Sequence, residues 1–333
     1  MPYRIAALAA LLAAAPIGAS VPTYSVTGTI SAGDGGWDYS SIDPETNKMF
    51  IGRGDSITAI DLATGKSVDK FAPAQRAHAA LPIPGTGALL ETDGNTNSVR
   101  LIDTRTGNVR WSLPSGEKPD SATWDAASKR AIVMHNKGGT IAFVDVANAK
   151  VIGSIAVAAG LEGAIVDNHG LVWVNSEETN KVYPIDVNAM KVLAPIDLKD
   201  CEGATGIVYS AKHDQFVTVC GSGYAYVIDA KAKTLISRFP IGKGADYALI
   251  DEKRGFVAVP CGEGILSFFD LTQNAIVPAG SIKTEKGARS GAIDPATGNI
   301  YLPTARFDPP KAPGERRTLV PGSFHVLVVS AKS

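Results

Sequence analysis

The sequence is poor in the residues that usually build a catalytic or metal centre. It holds three cysteines and five histidines in 333 residues. None of them falls into a His-x-x-x-His or Cys-x-x-Cys spacing, which excludes the linear zinc motifs and leaves no metal or cofactor site assigned. No Gly-x-Ser-x-Gly elbow occurs and no cysteine carries a local catalytic signature, so no catalytic residue is assigned either. Lysine and arginine form no run longer than a pair, as at Arg316-Arg317, and the formal net charge is −1. That argues against nucleic-acid binding by phosphate neutralisation. Apolar stretches long enough to span a bilayer, about 20 residues, are missing too. The apolar run Ile5–Ala15 follows Arg4, is broken by Pro16 and leads to Gly18-Ala19-Ser20. It reads as a secretory signal peptide over residues 1–20, cut after Ala19 or Ser20. With no cysteine at that junction a lipid anchor is not expected, and the predicted location is periplasmic or secreted.

What the chain does have is a repeat. Asp61, Asp103, Asp145, Asp186, Asp229 and Asp270 each follow an apolar-x-apolar phrase and precede a turn, at spacings of 42, 42, 41, 43 and 41 residues. A period in the forties built from short strands predicts an all-β fold, a β-propeller. Aligning on the aspartates gives seven units of four strands, a to d, the first running from Tyr39 to Phe71 and the last from Arg289 to near Ser330. The last unit has no strand d. Tyr24–Ile30 lies where a strand d belongs, so it is predicted to complete the last blade and close the ring. Residues 21–333 are thus expected to form a single domain and to act as a monomer. One insertion stands out. Residues 306–322 contain Pro309, Pro310, Pro313 and Pro321; proline removes ladder donors, so this reads as a loop on the b–c side of the last blade.

The turn aspartates themselves have a structural reading, because an Asp carboxylate before a Thr-Gly turn accepts backbone N–H groups. Asp43, Asp125, Asp167, Asp251 and Asp294 are assigned the same part at the a–b turns. The three cysteines predict one disulfide and one thiol. Cys201, in the connection entering the fifth unit, and Cys220, ending strand b of that unit, point to the same face; Cys220–Cys261 is the rival pairing.

The phrase Val172-Trp-Val-Asn-Ser-Glu-Glu-Thr-Asn-Lys-Val-Tyr-Pro-Ile-Asp186 resembles the repeat of the YVTN family of β-propellers. The ending Ile300–Ala305, with its Pro-rich loop and Pro321–Val329, is similar to secreted bacterial YncE-like proteins. The resemblance implies an exported propeller and transfers no activity. Asp103–Trp111 also resembles the docking motif of quinoprotein dehydrogenase propellers, but the Trp does not recur at matching positions, and Trp111 is read as inter-blade packing.

In a propeller the d–a and b–c connections emerge on one face around the channel mouth, where loops converge on a preformed cavity. Entry to the inner strands offers Asp38, His78, Asp120, Glu162, Glu202, Asp246 and Arg289. The b–c side adds Arg53, Asp93, His135, Asn175, Glu177 and Arg306. From these, Arg53, His78, Asp93, Asp120, His135, Glu162, Asn175, Asp246, Arg289 and Arg306 form the predicted ligand site, for an unknown small molecule or protein partner. Arg306, Arg316 and Arg317 are expected to hold the long loop down over the acidic rim. The alternative is a lactonase-like metal-dependent hydrolase, with Glu162, Asn175 and Asp246 as the candidate ligands.

Overall fold

The computed structural model describes residues 23–309 and 317–332. The predicted signal peptide, Pro310, Pro313 and Arg316 lie outside the described residues. Among the described residues all regular structure is β-strand, and no helix is long and apolar enough to cross a membrane.

Each repeat folds as an antiparallel meander. In the third, Pro119–Asp125, Arg130–His135, Thr140–Asp145 and Lys150–Ala156 pair in chain order. The second strand is apolar and buried from Ala131 to Met134, as a strand covered on both faces must be. The outermost, Lys150–Ala156, alternates half-buried and exposed residues, the pattern of an edge strand with one wet side. The turn aspartates cap as their position predicts. Asp103 Oδ1 accepts from Arg105 N at 3.0 Å and Thr106 N at 2.9 Å. Asp61, Asp145, Asp186, Asp229 and Asp270 accept equivalent bonds, as do Asp43, Asp125, Asp167, Asp251 and Asp294 at the a–b turns.

The strands group into six sheets, where seven separate ones are expected from the repeat. The first two repeats share one continuous strand, Ser67–Ile83, and so form a single seven-stranded sheet. Composition explains the merger. The connection Ala72-Pro-Ala-Gln-Arg-Ala77 contains no glycine, whereas every other d–a connection has at least one. Without a residue that readily takes positive φ the backbone stays extended. In the fourth repeat Pro195 splits the outer strand into Lys191–Val192 and Ile196–Asp197, both paired with Lys181–Asp186.

The last sheet draws on both ends of the chain. Tyr24–Ser31 pairs antiparallel with His325–Ala331, which continues to Ile300–Thr304 and Ala292–Ile293. The apolar core is divided among seven clusters, each shared by two successive repeats. One joins Phe50 and Ile57 to Leu89 and Ile102. Another joins Met49, Ile51 and Ile60 of the first repeat to Tyr301, Phe324 and Val326 of the last. Trp111 packs into the cluster between the second and third repeats.

Cys201 and Cys220 are joined, with Cα atoms 5.6 Å apart, so the rival Cys220–Cys261 pairing is not formed. Cys261 is a buried thiol, pushed up to about 11 chiefly by that burial. The long insertion is not loop throughout. Phe307 bridges to Leu319, Asp308 N donates to Thr318 O and Val320 N to Arg306 O. The prolines leave these ladder positions free, so the ends of the insertion zip together as a short antiparallel pair.

Candidate funnel and cleft

The inner strands bring one residue of each repeat to the same mouth of the channel. Asp38, His78, Asp120, Glu162, Asp246 and Arg289 hold this register, each followed by a small or aromatic residue: Tyr39, Ala79, Ser121, Gly163, Tyr247 and Ser290. Below the mouth, Tyr39, Ala79, Ser121, Gly163, Gly206 and Tyr247 line a cavity of about 80 Å³. The inner wall is tight. A Cβ on Gly163 would stand 2.5 Å from Thr205 O, and one on Gly206 2.5 Å from the Tyr247 carbonyl carbon. Hydroxyls stitch neighbouring repeats at this level: Ser121 Oγ donates to Glu162 O, Thr205 Oγ1 to Ala245 O at 3.2 Å, and Ser290 Oγ to Asp38 O at 3.2 Å.

The polar side chains above form three hydrogen-bonded or ion-paired sets. His78 Nδ1 lies 2.6 Å from Asp38 Oδ2 and 3.1 Å from Asp120 Oδ1. One ligand-type atom from each of these three residues falls within 4.8 Å of the others. Tyr39 donates its hydroxyl to Glu162 Oε2 at 2.5 Å, and Asn136 Nδ2 donates to Glu162 Oε1 at 2.8 Å and Glu177 Oε1 at 3.2 Å. Arg289 Nε stands 3.3 Å from Asp246 Oδ2.

Burial raises the Asp120 carboxyl to about 7; the charges of Asp38, Glu177 and Asp246 add to it, and His78 opposes it. Glu162 rises well above the ordinary carboxylate range, by burial and then by Asp120. Asp246 is raised by burial, against Arg289. Burial pulls the His78 imidazole down, but the Asp38 hydrogen bond and the Asp120 charge outweigh it, and the net direction is upward. The mouth is therefore an acidic group in which Asp120, Glu162 and Asp246 hold their protons to higher pH than free carboxylates do, and it attracts positive charge.

This has a measurable consequence. An unfolded Asp titrates near 3.9, so Asp120 has its folded pKa raised. Its contribution to stability is present below the unfolded value and is lost as pH climbs through about 7. Asp120→Asn removes that loss, while His78 keeps Asp38 as a partner. The variant is expected to gain about 1–2 kcal/mol at pH 8 and nothing at pH 4. Urea midpoints at the two pH values check this; an equal change at both, or a loss at pH 8, counts against it.

The b–c side residues are placed otherwise than the sequence suggests. Arg53 is buried, donates to Gly36 O and Gly33 O, and lies with its guanidinium 3.7 Å from the Phe324 ring centroid. Asp93 is buried and accepts from the N–H groups of Gln75, Arg76, Asn95 and Thr96. His135 is enclosed between Thr140 O and Ser115 Oγ, with burial lowering its pKa. Asn175 Nδ2 donates to Thr205 O and Gly206 O, between two repeats, and its Oδ1, the atom that would ligate a metal, accepts from Thr218 Oγ1 at 2.9 Å. It is therefore not free to join Glu162 and Asp246 as a metal ligand. Glu202 is exposed, and Thr205 holds the fifth repeat's place in the ring. Tyr39 and Asn136 were not in the predicted set. Tyr39 was findable, since Asp38-Tyr39 recurs as Asp246-Tyr247 at the same register.

Beside the funnel lies a second, larger concavity of about 980 Å³, lined among others by Trp37, Lys286, Arg289, Arg306, Phe307 and Arg317. Among the described residues Arg306 and Arg317 make no ion pair, so neither ties the insertion to the acidic rim.

Antiparallel four-stranded sheets packed repeat on repeat around a polar channel are the architecture of a β-propeller scaffold, and the comparisons agree. Residues 25–239 match the family model described as outer membrane protein assembly factor BamB. The chain belongs to that family. Hydrazine synthase of Kuenenia stuttgartiensis superposes with a TM-score of 0.70 at 15% identity, over 88% of this chain and 97% of that one. A chain in a structure titled mitotic checkpoint complex gives a TM-score of 0.72 at 10% identity, over 100% of this chain and 98% of that one. At these identities the likeness is one of fold. No curated protein sequence matches the chain.

Proposed function

We propose that this protein is an exported, closed, seven-bladed propeller that acts as a monomeric binding protein through its d–a and b–c loop face. Seven shared cores against six sheets support seven blades, and the core joining Met49 to Tyr301 supports closure. The apolar segment Ile5–Ala15 and the Cys201–Cys220 disulfide support export to an oxidising compartment. The phrase Val172–Asp186 supports a YVTN or YncE-like repeat within the wider family.

The observation that carries the reading is the convergence of Asp38, Asp120, Glu162, Glu177 and Asp246 on one mouth, where burial and neighbouring acids raise the carboxyls of Asp120, Glu162 and Asp246. Holding like charges together costs stability, and such arrangements concentrate at working sites. The test is site-directed photo-cross-linking in periplasm. Photoreactive residues at Glu202 and Glu263, on the loop face, are expected to give partner adducts that disappear in Asp120→Asn/Glu162→Gln. The same groups at Ala63 and Lys253, in turns at the other end of the strands, should give none. Adducts from the turn end alone would move the working surface to the opposite side.

The Asp38–His78–Asp120 group favours a second reading, a metal-dependent hydrolase of lactonase type. Here the ligands are two carboxylates and an imidazole, a set suited to a divalent ion. Calorimetric titration of chelator-treated protein with Mn²⁺ or Ca²⁺, against His78→Ala, decides whether this reading stands.

A further inference from the structure

We propose that the cleft beside the funnel is a binding site for a planar organic dianion. The proposal rests on the reading that the loop face is the working face, and it adds the chemistry of one ligand. The argument begins with charge. Four cationic side chains line the cleft, Lys286, Arg289, Arg306 and Arg317, against two acidic ones, Glu263 and Glu285. That leaves an excess of two positive charges. Of the two acids, Glu285 is already engaged, its Oε1 lying 3.2 Å from His325 Nε2. Of the four cations, only Arg289 has a carboxylate partner among the described residues, Asp246, and it remains half exposed.

Shape supplies the second part. The concavity of about 980 Å³ is at the upper end of the size of small-molecule sites. Glycines 36, 244, 262 and 287 form part of its lining, so no side chain fills it from those positions. One wall is aromatic: the Trp37 and Phe307 rings stand 6.0 Å apart, and Phe307 is 40% exposed. An exposed Phe is costly to keep in water, and beside guanidinium groups with no carboxylate partner among the described residues it suits a ligand with a flat apolar body and two anionic arms. Arginine reads carboxylates and phosphates as a fork, and both guanidinium and aromatic faces stack on flat rings.

The test uses the full mature chain, treated with chelator, and three probes: isophthalate, cyclohexane-1,3-dicarboxylate and dimethyl isophthalate. Calorimetry is expected to show saturable binding of isophthalate that weakens with added salt. The non-aromatic diacid should bind at least about threefold more weakly and the neutral ester at least about tenfold more weakly. Arg306→Glu/Arg317→Glu should cost at least about tenfold for isophthalate, with an unchanged melting curve, because both side chains are exposed. If that pair fails to fold, Arg306→Gln/Arg317→Gln carries the same test. No saturable binding of isophthalate by the folded wild type overturns the proposal. So does equal binding by the charge-reversed variant, or by the ester. The working-face reading fails separately, on the cross-linking pattern, which does not depend on these probes.

Discussion

A chain lacking residues 24–31 is expected to lose its cooperative melting transition, or to melt more than about 10 °C lower. The deletion removes a strand that pairs along the length of His325–Ala331, from Tyr24 opposite Ala331 to Ser31 opposite His325. It also removes Tyr24, which is 2% exposed, meets Phe256 of the preceding repeat edge-on and stacks on its Phe268, with ring centroids 5.1 and 5.3 Å away. Its hydroxyl donates to Gly298 O at 3.2 Å. Losing a buried aromatic of this kind costs about 3–5 kcal/mol, and the ladder is lost in addition. His325–Ala331 would then present an unpaired apolar edge, which invites association. Scanning calorimetry and light scattering read both effects. A deletion variant that melts as a monomer at the wild-type temperature would show that the strand is an accessory.

Replacing the disulfide, as Cys201→Ala/Cys220→Ala, is expected to cost about 3 kcal/mol in ΔG of unfolding, the closure entropy of a loop near this size. The two positions are 19 residues apart and bracket the inner hairpin of the fifth repeat. Wild-type protein unfolded with a reductant should show the same lowered urea midpoint as the variant, and adding reductant to the variant should change nothing. An unchanged midpoint in the variant would mean that the tight packing around Cys220 already holds the hairpin.

The fold was legible in the chain because its punctuation is local. Asp103 followed by Thr104-Arg105-Thr106-Gly107 closes its own turn by hydrogen bonds across three residues, so six such phrases reveal the repeat with no knowledge of tertiary structure. The merger of the first two repeats was also written there, as a connection without glycine, but only comparison of all the d–a connections brings it out. The candidate site was legible in half. Asp38, His78, Asp120, Glu162, Asp246 and Arg289 come together because they share one register at the head of the inner strand. Arg53, Asp93 and His135 share a register too, and Asn175 lies one residue short of it, yet each is absorbed by backbone or by the neighbouring repeat. In the second to fifth repeats the pairing breaks at the head of the inner hairpin, between Ala77 and Ala80, Val133 and His135, Leu161 and Ala164, and Ala204 and Ile207. Such a break re-aims the side chains on both strands, and alternation read along the sequence does not reveal it. Thr205 and not Glu202 stands in the ring because Ala204 opposes Cys220 as Leu161 opposes Ser176, which gives Thr205 the place that Glu162 holds in the fourth repeat.

The pairing of the two chain ends also sets how the molecule carries mechanical load. Thr23 and Lys332 meet at one end of the terminal ladder, where Lys332 N donates to Thr23 O at 2.6 Å. Tension applied between the two termini therefore acts across the strands at that single end. It opens the hydrogen bonds one pair after another, as a zipper opens, and never loads them all at once. A pull between residue 31 and residue 332 would instead slide the strands lengthwise and load the whole ladder together. In a force spectrometer the first geometry should yield at a much lower force than the second. The seam that joins the last sheet would then be a strong one to heat and a weak one to traction at its free ends.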